Sequence, residues 1–189
     1  MRLILASGSP RRKQLLEELG LSPIVRAGDI DETPLPGEPV ADYVERLAIA
    51  KGKAVATEAD GVDRDDLVIS ADTIVVLDGE LLGKPVDDAD AARMLRSLSG
   101  RTHEVMTGVA VHRDGKVESF VERTVVHFAE MSDDDISWYV STGEPADKAG
   151  AYGIQGRGGA FVVAIEGSYD NVIGLPRHRI RQLLPLKPV

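Results

Sequence analysis

The 189-residue sequence contains no cysteine, so neither disulfides nor thiolate chemistry is open to it. It has no apolar run near the roughly 18 residues that a membrane-spanning helix needs. Its first apolar stretch, Leu3 to Ala6, is short, and the basic cluster follows it, so it does not read as a secretory signal. Positive charge is in deficit: the formal net charge is −9, which argues against a general nucleic-acid binder with a broad basic face. A Walker A pattern (GxxxxGK followed by Ser or Thr) is missing, and no GxGxxG follows the first predicted strand. His103, His112, His127 and His178 have no zinc-type spacing. Internal repeats and low-complexity runs are also lacking. What remains, 43% hydrophobic and 28% charged residues, is the balance of a globular protein, and the lack of cysteine suits the cytoplasm.

The pattern of elements predicts an α/β fold, read as a single domain over 1–189. A short apolar strand at 2–6 is followed by a helix with Ser9 as N-cap and Pro10 as first residue. Leu15, Leu16 and Leu19 lie on one face of that helix, and Gly20 stops it. Residues 28–39 read as an acidic loop, and 40–57 as a helix burying Tyr43, Val44, Leu47 and Ala50. A polar loop at 58–66 leads to a central strand at 67–77, turned by Asp78-Gly79-Glu80. A helix with acid at its start covers 87–100, and two strands at 102–112 and 117–131 meet at a hairpin around Asp114-Gly115. A short helix capped by Ser132, a glycine-rich loop at 146–159, a strand at 160–167 and a helix at 176–186 complete the chain.

One residue conflicts with this pattern. Asp72 is a carboxylate inside the apolar run "VISADTIVVL", where an unpaired buried charge is strongly disfavoured. It must cap a strand end, pair with a cation, or face a solvated cleft and do chemistry. A second anomaly is the run "SGSPRRK". Cations are disfavoured beside the positive end of a helix dipole unless an anion is bound there. Backbone N–H groups, Ser7, Ser9, Arg11 and Arg12 would then hold a phosphate; otherwise this is a solvated turn. Glu32 is either a solvated acid or a metal ligand. Lys51 and Lys53 lie where the helix dipole alone would favour cations, and His103 reads as structural. In "DKAGAYGIQG", Tyr152 and Gln155 offer an aromatic face and an amide suited to a nucleobase, against the alternative of a flexible surface loop.

Six segments in order, "LASGSPRRKQLL", "SADTIVV", "GKP", "LSGRTHEVMTGVAV", "DKAGAYGIQGRGG" and "GSYDNVIGLP", resemble the signature segments of the Maf family over about residues 3–184. The resemblance implies a mixed twisted sheet flanked by helices, similar to the ITPase (Ham1) fold, with two lobes around a central cleft. It implies hydrolysis of a nucleoside triphosphate to the monophosphate and pyrophosphate, with a divalent metal cation, Mg2+ or Mn2+. By motif, Asp72 looks like the proton acceptor and, with Glu32, a metal ligand; whether base or ligand dominates stays open. Ser7, Arg12, Lys51 and Lys84 match positions lining the triphosphate, while Arg11, Thr73 and Gln155 match those that set substrate choice. Gln155 in its segment is similar to the branch acting on dTTP and UTP. The alternatives are a relative preferring 7-methyl-GTP or modified nucleotides, and a non-catalytic nucleotide-binding regulator of septum formation. The expected partner is the nucleotide, not nucleic acid or membrane, with a homodimer possible through a strand edge or apolar patch.

Overall fold

A computed structural model describes residues 1–57 and 62–184. The chain begins with β1 (Leu3–Leu5), α1 (Pro10–Glu17), β2 (Ile24–Val25) and α2 (Val40–Ala56). It continues through β3 (Leu67–Leu77), β4 (Glu80–Leu82), α3 (Asp88–Leu98), β5 (Thr102–Arg113) and β6 (Lys116–Phe128). Then come α4 (Asp133–Ser141), three short 3-10 turns between Glu144 and Phe161, β7 (Val162–Glu166), α5 (Tyr169–Ile173) and α6 (Arg177–Leu183). Part of the loop expected at 58–66 and the end of the helix expected at 176–186 lie outside the described residues. Among the described residues no helix is long and apolar enough to cross a membrane.

The strands form a seven-stranded mixed sheet in the order β2-β1-β3-β5-β6-β7, with β4 on β3. β1 runs parallel to both β2 and β3, whereas β3 with β4 and β6 with β7 are antiparallel. The expected mixed α/β architecture is therefore present. β3 is buried along almost its whole length, which explains its continuous apolar run. The Asp114-Gly115 hairpin has positive φ at both positions, 53° and 73°, as a two-residue turn matched to strand twist requires.

The chain divides into two compact units, and the division falls between Asp72 and Thr73 within β3. The first holds Met1–Asp72, Thr107–Glu122 and Gly174–Val189. Ile4, Ala6, Val55 and Val68 form an apolar cluster in it. α2 buries Tyr43, Val44 and Leu47 as expected, with Ala48 rather than Ala50 completing the face. The second unit holds Thr73–Met106 and Arg123–Ile173. Its core includes Val75, Leu95, Leu98, Phe128, Tyr139 and Tyr152. Its helices start where their caps dictate: the Asp87 side chain accepts from the Asp90 N–H, and Ser132 with Asp135 forms a reciprocal capping box.

Candidate active site

Asp72 is not isolated. Alternation along β3 puts Ser70 and Asp72 on one face of the strand, and both meet α2. The Ser70 hydroxyl donates to the Ala48 carbonyl at 2.6 Å, and the Lys51 ammonium donates to Asp72 Oδ1 at 2.7 Å. The same ammonium lies 2.7 Å from Glu32 Oε1, so one cation joins two carboxylates. The Asp72 and Lys51 side chains are only 12% and 15% exposed, so water screens this pair poorly; Glu32, 56% exposed, reaches in from the loop. Of the three ways to tolerate Asp72, pairing with a cation is the one observed.

Gly52 explains how α2 comes this close. Glycine inside a helix costs about 0.5–1 kcal/mol relative to alanine, so it needs a reason. A β-carbon on Gly52 would land on His112 Nε2 and stand 2.5 Å from Ser70 Oγ. His112, buried in β5, hydrogen-bonds the Ile49 backbone. Ser70 and His112 thus hold two consecutive residues of α2, Ala48 and Ile49, and the missing side chain at Gly52 lets Lys51 settle beside Asp72.

The turn before α1 supplies further charge. Ser9 occupies the N-cap position with extended backbone, but its hydroxyl makes no capping bond. Its N–H instead donates to Ser7 Oγ at 3.3 Å. Ser7 Oγ also accepts from Arg12 Nη1 at 2.9 Å, while Arg12 Nε donates to the Gly174 carbonyl at 2.9 Å. Arg12 therefore ties the turn to the segment before α6. Burial holds its guanidinium below its ordinary pKa; Asp72 opposes this, Arg11 adds to it, and Glu32 opposes it. Arg12 is thus within electrostatic reach of Asp72, Arg11 and Glu32.

Two residues outside the sequence-derived set hold the backbone at Glu32 and Thr33. The Tyr43 hydroxyl donates to the Glu32 carbonyl at 2.9 Å, and Arg46 Nη2 donates to the Thr33 carbonyl at 3.2 Å. Arg46 is itself gripped by Glu38 at 2.6 and 2.8 Å. Burial pushes the Tyr43 phenol pKa up, and the charges of Asp72 and Glu32 add to the rise. In the sequence Tyr43 shows only as an apolar-face position of α2. A hydroxyl among the core residues of a helix beside an acidic loop was the available signal.

Thr73, Lys84 and Gln155 belong to the second unit, Thr73 half-buried and Lys84 and Gln155 exposed. There the "GKP" and "DKAGAYG" segments are joined, because the Gly150 N–H donates to the Gly83 carbonyl at 3.0 Å. Gly150 has φ 67°, and a β-carbon there would lie 2.7 Å from a Val75 methyl. Farther along, Glu144 organises the loop, accepting from the Tyr139 hydroxyl (2.8 Å) and the N–H groups of Arg157 (2.9 Å) and Gly158 (3.2 Å). The reading of Tyr152 as an open aromatic face is corrected. Its ring is 5% exposed and packs edge-on against Phe128 and His103, and its hydroxyl meets His103 Nε2 at 2.8 Å. Packing in the core leaves it no face to offer a base. His103 is structural, as expected.

Among the described residues no group of three or more His, Asp or Glu side chains converges as a metal cage. Asp72 and Glu32 make a two-carboxylate set already clasping a cation. That donor set suits Mg2+ or Mn2+, because Mg2+ in particular is held by one or two carboxylates together with substrate phosphates and waters.

The Maf-like protein family pattern matches residues 2–186. A dTTP/UTP pyrophosphatase of Symbiobacterium thermophilum is 51% identical over 183 residues, covering 97% of this chain and 92% of that protein. Proteins of the same name from Anaeromyxobacter dehalogenans and a Shewanella species are 54% and 52% identical, each covering 97% of this chain and 92% and 97% of their own lengths. The solved Staphylococcus aureus Ham1 protein aligns with a TM-score of 0.50 at 17% identity, covering 69% of this chain and 73% of its own; it bears on the fold alone. The chain is a member of the Maf family.

Proposed function

We propose that this protein hydrolyses dTTP and UTP to the nucleoside monophosphate and pyrophosphate, working as a single Maf-like domain in the cytoplasm. The observation that carries the reading is the Lys51 ammonium between Asp72 and Glu32, in electrostatic reach of Arg12, in a chain about half identical to proteins named for that reaction.

Asp72 takes a proton from the attacking water. The water oxygen forms a bond to the α-phosphorus, the bond from that phosphorus to the bridging oxygen breaks, and pyrophosphate leaves with the electron pair. Ser7, Arg11 and Arg12 bind phosphate oxygens, helped by backbone N–H groups at the start of α1. Lys51 and Lys84 offset charge on the transferring and leaving groups. Thr73 and Gln155, with Arg11, select the base; the Gln155 amide can donate to and accept from a pyrimidine edge. Asp72 and Glu32 would hold the divalent cation, which when bound neutralises phosphate charge.

The test is pyrophosphate release by the purified protein with Mg2+ from dTTP, UTP, CTP and 7-methyl-GTP. Turnover of dTTP and UTP above the others is expected. A preference for 7-methyl-GTP, or release from none of the four, would overturn the assignment.

A further inference from the structure

Lys51 touches both metal carboxylates at once, at 2.7 Å each. We propose that its ammonium and the divalent cation compete for Asp72 and Glu32, so that Lys51 is a placeholder displaced toward the triphosphate as the metal binds. This rests on the assignment of Asp72 and Glu32 as metal ligands made above.

Two carboxylates converging on one point, with the Asp72 side chain only 12% exposed, repel each other and are eased by a cation between them. Lys51 meets that need. A small dication shared by the same oxygens would stand where the ammonium stands, and two cations cannot occupy that space in contact. The lysine can leave without any change of fold. Its charge sits on a flexible four-carbon stem with three rotatable donors, whereas the helix beneath it is fixed at Ala48 and Ile49 by Ser70 and His112. Phosphate oxygens are the natural new partner for the released ammonium. Metal and triphosphate then favour each other's binding, because each accepts one half of the ion pair that the other must break, and by linkage the help is mutual. A lysine that served only as a fixed phosphate ligand would show no such competition.

Mn2+ binding without nucleotide, followed by the electron paramagnetic resonance signal of the free ion, separates the two. Lys51→Met and Lys51→Gln are expected to bind Mn2+ about 10-fold more tightly than the unaltered chain. With chelator present both variants should melt at lower temperature, since the carboxylates are left unbalanced, and Mn2+ should raise their midpoints more than it raises the original. Equal or weaker Mn2+ binding in both variants overturns the placeholder. Asp72→Asn and Glu32→Gln tell the two layers apart. If they weaken Mn2+ binding and the Lys51 variants do not strengthen it, only the placeholder falls. If they leave Mn2+ binding unchanged, the metal assignment falls and the placeholder with it.

Discussion

Gly52 of α2 and His112 of β5 stand so close that a single β-carbon on the glycine would overlap the imidazole. Helix propensity alone says that Gly52→Ala stabilises by up to about 1 kcal/mol. The contact says the reverse. Backbone or side chains must shift to admit the methyl group, and overpacking of this kind costs about 1–3 kcal/mol. Urea denaturation should therefore show a loss of stability, and turnover should drop because Lys51, the neighbouring residue, is shifted out of its place in the site. A variant both more stable and fully active would contradict the close contact.

Tyr43→Phe removes one hydroxyl and leaves the ring. Its bond to the Glu32 carbonyl is lost, at a stability cost of about 0.5–1.5 kcal/mol. The larger effect is expected in catalysis: a looser Glu32 should raise the Mg2+ concentration needed for half-maximal activity. Combined with Glu32→Gln, the tyrosine change should have little further effect on that concentration, since the two act through one side chain. Additive losses in the double variant would show that Tyr43 does not work through Glu32.

His103 sets a pH dependence of stability. Burial, with a smaller push from His127, lowers its pKa to about 4. An unfolded histidine titrates near 6.5, so between those values the unfolded chain binds more protons than the folded one. The stabilisation is complete above about pH 6.5 and is lost as pH falls toward about 4, with a slope approaching 1.4 kcal/mol per unit, roughly one proton's worth. Denaturation curves at neutral and acid pH, compared with those of His103→Gln, check this. The variant should show a shallower decline; an identical decline would assign the effect to other groups.

Much of the fold could be read from the residues, and the reasons are local. β3 announced itself by apolar density, α3 by the acid at its start, α4 by Ser132 at its cap, and the β5–β6 hairpin by Asp114-Gly115. β2 and α5, two and five residues long, are too short for any periodicity to show. In the site, Asp72 stood out because a carboxylate in a buried strand is costly, and Lys51 proved to be its counter-ion. The purpose of Gly52 stayed hidden, because the atoms that crowd it, on Ser70 and His112, come from distant parts of the chain. Tyr152 misled for the complementary reason: its neighbours in sequence are glycines, and its neighbours in space are Phe128 and His103.

The central claim is that Asp72 takes the proton from the attacking water. Asp72→Asn keeps the shape and a hydrogen-bond acceptor for the ammonium but removes the charge and the base. The most direct measurement is kcat for dTTP hydrolysis by this variant at saturating Mg2+, with circular dichroism confirming an unchanged fold. A fall of about 100-fold or more is predicted. A folded variant with near-normal kcat would contradict the account.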